Sequence, residues 1–289
     1  MYVDFHTHTL ASDGQLTPTE LIKKAKQLGF SFIAKTDHDN VNLMSEFLAA
    51  GKKFGVNTIT GMEISSRYQG KSLHIVALGI DYKNKKINDY AQKCIAARKV
   101  RGLKMAAKLA RAGWQLKKSE LDRVLLARPH VALAVINHPQ NKKRLLQEFG
   151  AIPDFSTFIR KYLAKDCSCY VPKKYYIKPL PAIRMIHASG GLAIIAHPLC
   201  QTKEFRYSRP HLLKIIKNLP FDGLEVYNNG NAPLDTLYLR NLAIKHRLLI
   251  SAGSDYHGYD KIYPLGPRYR GRRVKASACQ KLLAKLQLI

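Results

Sequence analysis

Met1-Tyr-Val-Asp-Phe-His6-Thr-His8-Thr-Leu-Ala-Ser-Asp13 opens the chain and joins a short apolar strand to two histidines. Side chains two residues apart on a strand leave the same face, so Asp4, His6 and His8 are expected to point together. Asp13 follows on the next turn, and imidazoles with a carboxylate suit a divalent metal ion. For this stretch alone, polar histidines near an N-terminus are an alternative interpretation. Similar pairings further along the chain favour the metal site.

The charge of the chain is its most unusual global property. The sequence has 289 residues, enough for one α/β domain with a large core, and a net charge of +28. Residues 83–174 carry 22 lysines and arginines against 6 aspartates and glutamates, an excess of 16. Such a field attracts polyanions, which favours a nucleic-acid ligand, although a general bias towards lysine is an alternative.

The sequence contains neither an apolar run of about 18 residues nor a basic leader followed by an apolar segment. We therefore expect a cytoplasmic protein that does not contact the membrane. Nothing in the sequence indicates an obligate protein partner.

Strands and helices alternate over most of the chain. Thr17-Pro18-Thr19-Glu20 is a capping box with proline in the first turn, which predicts a helix that ends at Gly29. A second helix is expected at 41–54. Strands are predicted at 32–34, 56–60, 72–78, 192–196, 223–227 and 248–252. Later helices are predicted at 181–188, 210–218, 233–246 and 276–287. Short connections between such elements indicate parallel βα units and an α/β fold.

Between the two alternating regions the pattern changes. Helices are predicted at 88–112, 118–126, 130–137, 141–149 and 154–164, with no strong strand among them. The sequence therefore predicts an α/β domain formed by residues 1–86 and 170–289, interrupted by a helical insertion at 87–169.

Histidines and acids recur at the ends of the predicted strands. They are His6, His8, Asp37, His38, Glu63, His197, Asp255 and His257. In a barrel of parallel strands the carboxyl ends form one face, and that face carries the chemistry. Residues far apart in sequence are thus expected to share one pocket.

Local spacing indicates which of these residues bind an ion. Neighbouring Asp37 and His38 point to opposite sides, so we interpret His38 as the ligand and Asp37 as a group that orients a nearby imidazole. Asp255 and His257 are two residues apart and can both face inward. His197 follows an apolar strand, where packing does not explain a histidine.

The remaining histidine of interest, His74, lies inside an apolar strand and would alone be interpreted as a core residue. With it, the candidate set has six histidines and three carboxylates besides Asp37, and no thiolate. Such ligands suit Mn, Fe or Zn and argue against a structural zinc site. Nine ligands exceed what one or two ions need.

The order of these motifs resembles that of a known family. The segments are Asp4-x-His6-x-His8, Ser12-Asp13-Gly14-x-Leu16-Thr17-Pro18, Thr36-Asp37-His38-Asp39, Gly61-x-Glu63-Ile64-Ser65, Ala196-His197-Pro198 and Gly253-Ser254-Asp255-Tyr256-His257-Gly258. They resemble the successive motifs of the PHP (polymerase and histidinol phosphatase) family. Arg128-Pro129-His130-Val131-Ala132 and Gly223-Leu224-Glu225-Val226-Tyr227 resemble the branch with bacterial 5′-3′ exoribonucleases and nucleoside 3′,5′-bisphosphate phosphatases.

The resemblance implies a distorted (β/α)7 barrel with a site for three divalent ions. Manganese is the expected metal, with iron or zinc as alternatives. By position, the first ion would be held by His6, His8, Glu63 and Asp255. The second would be held by Glu63, as a bridge, with His74 and His197. The third would be held by Asp13, His38 and His257.

The implied reaction is hydrolysis of a phosphoester at the 5′ end of a short RNA, or in a nucleoside 3′,5′-bisphosphate. A hydroxide shared by two ions would attack phosphorus. Arg128 and His130 would bind the substrate from the insertion, which would cover the active site, although a solvent-facing helix start is an alternative. Two other functions are a small-metabolite phosphatase of the histidinol phosphate type and a non-catalytic nucleic-acid-binding accessory protein.

Overall fold

Seven strands form one sheet in the computed structural model, which describes residues 1–200, 206–258 and 264–289. The strands are β1 Tyr2–Asp4, β2 Phe30–Lys35, β3 Asn57–Tyr68, β4 Lys71–Leu78, β5 Leu192–Ile195, β6 Gly223–Asn228 and β7 Leu249–Gly253. Their spatial order follows the sequence from β1 to β7. The α/β fold class is thereby confirmed.

The sheet curls into a nearly closed barrel. The segment after β1 runs beside the end of β7, where the Phe5 amide donates to the Ala252 carbonyl at 2.8 Å and the Asp255 amide donates to the His6 carbonyl at 2.9 Å. Apolar side chains such as Phe5, Val76 and Ile194 fill one core cluster. The His6 and His8 motif therefore lies where the sheet closes.

One strand breaks the parallel pattern. β4 pairs antiparallel with β3 and with β5, while the other neighbouring pairs are parallel. The prediction of only parallel strands is wrong here, because Gln69 and Gly70 connect β3 directly to β4 without a helix. Both residues have a positive φ, 48° and 80°, as tight hairpin connections require.

Helices pack on the outside of this sheet in the first unit, Met1–Ala91 with Tyr176–Ile289. They are α1 Pro18–Gln27, α2 Met44–Phe54, α8 Pro179–Ala188, α9 Arg209–Asn218, α10 Pro233–Lys245 and α11 Gln280–Lys285. The capping box is confirmed, since Thr17 Oγ1 accepts from the Glu20 amide and Glu20 accepts from the Thr17 amide. The helix predicted at 276–287 begins as a 3₁₀ turn, Ala276–Cys279, before α11.

The second unit, Gln92–Tyr175, is helical and has its own core. α3 Lys85–Arg111 begins in the first unit, and it is followed by α4 Lys118–Leu121, α5 Arg128–Ile136, α6 Lys142–Phe149 and α7 Phe155–Tyr162. Trp114 and Phe158 are buried in that core with ring centroids 5.6 Å apart.

Two further features concern the surface. Between β7 and α11, a small hairpin is formed by β8 Arg268–Tyr269 with β9 Arg272–Arg273. Within the described part of the chain, no helix has the length and apolar character needed to cross a membrane.

Candidate active site

The first unit brings the predicted ligand residues together. Eight of the nine fall into three overlapping groups, in each of which one ring nitrogen or carboxylate oxygen per residue lies within 4.8 Å of those of the other members. The groups are His6, His8, Glu63 and Asp255; His8, Asp13, His38 and His257; and His38, Glu63 and His74. The ninth residue, His197, reaches the same cluster through Glu63, with its Nε2 3.0 Å from Glu63 Oε1.

Glu63 lies at the centre of the cluster, and its two oxygens face different histidines. Oε2 is 2.7 Å from His38 Nδ1 and 3.4 Å from the Nε2 atoms of both His6 and His8. Oε1 is 2.7 Å from His74 Nδ1 and 3.0 Å from His197 Nε2. A carboxylate in this position can bridge two ions.

The antiparallel direction of β4 explains how His74 reaches this cluster from the middle of a strand. Ser65, two residues beyond Glu63 on β3, pairs with His74 on β4. Paired residues on antiparallel strands point to the same face, so His74 lies beside Glu63 without a strand end nearby. A residue that packing alone would assign to the core thus faces the cluster.

Asp13 and Asp255 complete two sides of the site. His257 Nε2 is 3.4 Å from Asp13 Oδ1, and His38 Nε2 is 3.9 Å from Asp13 Oδ2. His8 Nε2 is 3.2 Å from Asp255 Oδ1. Asp255 has a φ of 58°, a strained conformation for a residue with a side chain, of the kind that functional sites retain.

The three geometric groups differ in part from the groups implied by the resemblance. The first has the same four members. The group around Asp13 additionally contains His8. The group around Glu63 and His74 contains His38 in place of His197. His8, His38 and Glu63 are therefore each shared, which makes the site one connected cluster.

The electrostatics favour the protonation states that ligands need at His8, His74 and Glu63, whereas at His6 the facing Glu63 and Glu225 carboxylates outweigh burial and hold the pKa well above its usual range. Burial lowers the pKa of His8 to about 3 and of His74 to about 4, so both imidazoles are neutral near pH 7. Burial alone would raise the pKa of Glu63, but the facing imidazoles of His38, His74 and His6 outweigh it, and the pKa lies well below its usual range. Neutral imidazoles and ionised carboxylates are the forms that bind metals.

Several buried atoms in the site make no hydrogen bond of acceptable geometry to any described residue. They are Nε2 of His6 and His8, Nδ1 of His38, Oδ1 of Asp13 and Oε2 of Glu63. Unsatisfied buried polar atoms are costly, and so many in one place point to an additional binding partner. The donor set fits divalent cations, and the His/Asp/Glu cluster is able to bind metal.

Asp37 lies behind the cluster and contacts no imidazole directly in the hydrogen bonds described. It accepts from the Thr9 amide at 2.8 Å and from Ser12 Oγ at 2.5 Å. Ser12 Oγ in turn lies 3.4 Å from His8 Nδ1. Sequence reasoning missed Lys35, which is fully buried with its Nζ 2.8 Å from Asp37 Oδ2. Its position at the end of a buried strand, two residues before Asp37, was the available signal.

Glu225 is a second residue to which the sequence analysis assigned no role. It is 1% exposed, and its carboxylate lies 3.3 Å from His6 Nδ1 while accepting from the His197 amide at 2.6 Å. A Cβ on Gly253 would meet Glu225 Oε1 at 2.2 Å and His6 Cβ at 2.3 Å. Glycine at this position therefore permits the contact between Glu225 and His6.

Asp4 does not join the three groups, although it was expected to point with His6 and His8. It accepts four hydrogen bonds, from the amides of His6, Ser254 and Gly266 and from Ser254 Oγ. Burial raises its pKa to about 7, although these hydrogen bonds favour the charged form. Its carboxylate ties β1 to the segments beyond β7.

Asp4→Asn is expected to lower the free energy of unfolding by about 1–3 kcal/mol, because the amide group would leave a buried backbone N–H without an acceptor. Urea denaturation in the presence of a chelator measures this loss. Asp89→Asn, on an exposed position of α3, is the matched control and should change stability by less than about 0.5 kcal/mol. Equal stability of the two variants would contradict the role given to Asp4.

Arg128 and His130 lie in the second unit, on the first turn of α5. Arg128 is half-buried, and His130 is 3% exposed. His130 Nδ1 accepts from the Ala127 amide at 3.1 Å, which satisfies one amide at the helix start. Their role in substrate binding stays a prediction.

Comparison with known proteins agrees with the site geometry. The model of the PHP domain family matches residues 4–147. A 5′-3′ exoribonuclease of Haemophilus influenzae is 33% identical over 254 residues, which cover 88% of this chain and 89% of that protein. A 3′,5′-nucleoside bisphosphate phosphatase of Chromobacterium violaceum is 32% identical and covers 88% of this chain and 87% of its own.

Solved structures show the same architecture. A protein from Bifidobacterium adolescentis, described as a candidate metal-dependent phosphoesterase, has a TM-score of 0.79 at 25% identity and covers 98% of this chain and 96% of its own. A Chromobacterium violaceum protein described as an amidohydrolase, with bound sulfate and no metal, has a TM-score of 0.80 at 26% identity and covers 99% and 97%. Together with the metal-binding cluster around Glu63, these similarities show that the chain belongs to the PHP family of phosphoesterases.

Proposed function

We propose that this protein hydrolyses phosphoesters at the 5′ end of short RNA, as a 5′-3′ exoribonuclease, and of nucleoside 3′,5′-bisphosphates. The observation that carries the proposal is the Glu63 carboxylate, whose two oxygens face separate sets of imidazoles and so suit a bridge between ions. Relatives named as an exoribonuclease and a bisphosphate phosphatase, each matching 88% of the chain, support the substrate class.

Three divalent ions fit the number of ligands, and manganese suits the nitrogen and carboxylate donors, as do iron and zinc. His6, His8, Glu63 and Asp255 would hold one ion, Glu63 with His74 and His197 a second, and Asp13, His38 and His257 a third. When bound, such ions supply an activated water nucleophile and neutralise charge on the phosphate. Glu225 and the Asp37–Ser12 pair orient His6 and His8, so the chain holds its ligands in place before substrate arrives.

A substrate panel tests the proposal. The substrates are a 5′-phosphorylated RNA, adenosine 3′,5′-bisphosphate and histidinol phosphate, each with added manganese and with a chelator. We expect metal-dependent hydrolysis of the first two. Preferential hydrolysis of histidinol phosphate would show a small-metabolite phosphatase. Binding of RNA without hydrolysis of any substrate would show an accessory protein.

Arg128 and His130 are proposed to bind a substrate phosphate from the helical insertion, with Arg128 as a bidentate clamp. Arg128→Ala is then expected to raise KM for 5′-phosphorylated RNA by roughly 10-fold or more, since charge-assisted hydrogen bonds are lost. Steady-state kinetics with a chromogenic phosphodiester provide the comparison, because that substrate has no terminal phosphate to clamp. An equal rise in KM on both substrates would argue against the clamp.

A further inference from the structure

The β3–β4 hairpin extends well past its neighbours in the sheet. β5 pairs with β4 only at Ile75–Leu78, and the β2–β3 ladder ends at Thr60. The outer part of the hairpin therefore continues beyond the strand ladders, from Glu63 outward. It forms a strip that begins at the metal-binding cluster.

One face of this strip leads from the cluster to Arg67. Glu63, Ser65 and Arg67 are two residues apart on β3 and so share a face. Their partners follow the same rule, since Ser65 pairs with His74 and Arg67 with Ser72. At the usual strand rise, the Cα of Arg67 is about 13 Å from that of Glu63.

Arg67 is exposed and rests on an aromatic ring. Its guanidinium carbon is 4.8 Å from the ring centroid of Tyr176. Tyr176 is held there by the neighbouring Ile177, whose carbonyl accepts from Ser66 Oγ at 2.6 Å. A guanidinium stacked on a ring in this way keeps its N–H edge available for a bidentate contact with a phosphate.

Side-chain and backbone contacts anchor the hairpin. Tyr68 lies edge-on to His211 with ring centroids 5.8 Å apart, and its hydroxyl accepts from Asn218 Nδ2 at 3.1 Å. The Tyr207 hydroxyl donates to the Ser72 carbonyl. Because the hairpin is braced in this way, little conformational entropy is lost when Arg67 binds a ligand.

We propose that Arg67, supported by Tyr176, forms a phosphate subsite for the body of an oligonucleotide whose 5′ end lies at the metal-binding cluster. The proposal deepens the proposed function and rests on it. Arg67 donates two hydrogen bonds to a non-bridging pair of oxygens on a phosphodiester that is not cleaved. An exposed cation away from the reacting centre serves a chain of phosphates, and the net charge of +28 attracts such a chain.

Fluorescence anisotropy of a labelled, 5′-phosphorylated hexaribonucleotide on the full-length chain, with chelator to prevent turnover, tests the subsite. Arg67→Ala should weaken binding about 10-fold and reduce the slope of log K against log salt by about 0.7, the value for one phosphate contact on a single strand. Arg184→Ala, an exposed arginine on α8, removes the same charge and should change neither. Equal effects of the two variants, or none from Arg67→Ala, would overturn the proposal.

Kinetics with the manganese-loaded protein separate this proposal from the proposed function. Arg67→Ala should raise KM for the hexaribonucleotide and leave KM for adenosine 3′,5′-bisphosphate unchanged. Equal rises on both substrates would overturn the assignment to an oligonucleotide chain. Binding that depends on Arg67, in a wild-type protein that hydrolyses neither substrate, would instead overturn the proposed function and leave the subsite in place.

Discussion

Glu63→Gln is expected to lower kcat/KM on every phosphoester substrate by more than about 100-fold. The loss should exceed the roughly 10–100-fold that follows removal of a residue that only orients a metal ligand. The reason is geometric: one oxygen faces His6, His8 and His38, and the other faces His74 and His197. Glutamine keeps the shape but offers one neutral oxygen and a donor amide. The bound metal should fall in step with activity, which elemental analysis of purified protein measures.

The matched control for Glu63→Gln is Glu20→Gln in the exposed capping box of α1. Glutamine also serves in capping boxes, so this variant should keep both fold and activity. Thermal unfolding with chelator present separates loss of metal from loss of fold. Retention of full metal content and activity by Glu63→Gln would contradict the central position given to this carboxylate.

Much of the fold follows from local sequence signals that the structure bears out. The α1 capping box, the end of the second helix at residue 54, and the buried strands near 32–34 and 192–196 each depend on a few neighbouring residues. Such signals act over one helical turn or one strand. They therefore survive without knowledge of the tertiary structure.

The direction of β4 was missed because the strand predicted at 56–60 stops short of the end of β3 at Tyr68, so the two-residue connection Gln69–Gly70, which requires antiparallel pairing, was not recognised. Residues 71–78 taken alone do not distinguish an antiparallel β4 from a parallel one, because an apolar strand with polar interruptions suits either direction. The direction matters for the site. It places His74 beside Glu63 from mid-strand, and it makes the hairpin that presents Arg67.

Residues that support the ligands were missed for two different reasons. Glu225 contacts His6 and His197, which lie on segments far away in sequence. Lys35 contacts Asp37, which is only two residues further along the chain. A charged residue within an apolar strand gives a local signal that something must satisfy it, but the sequence alone does not name its partner. For Glu225, the barrel supplies the partner by closing β6 and β7 against the segment after β1.

Glu225→Gln is expected to weaken metal affinity or activity by about 10–100-fold, the usual cost of removing a group that orients a metal-binding histidine. The buried carboxylate accepts from the His197 amide and faces His6 Nδ1, so an ionised acceptor keeps the proton on Nδ1 and leaves Nε2 toward Glu63 and Asp255. The single oxygen of glutamine can satisfy the His197 amide. His6 then loses its acceptor.

This difference gives Glu225→Gln and Glu63→Gln distinct responses to manganese. Glu225 acts through His6, so its loss lowers affinity, and a titration to high manganese should restore much of the activity of Glu225→Gln. Glu63 faces the ions themselves, and the same titration should not restore Glu63→Gln. Activity measured against manganese concentration for both variants, beside Glu20→Gln, makes the comparison. If high manganese rescued neither variant, or both equally, Glu225 would not act by orienting His6.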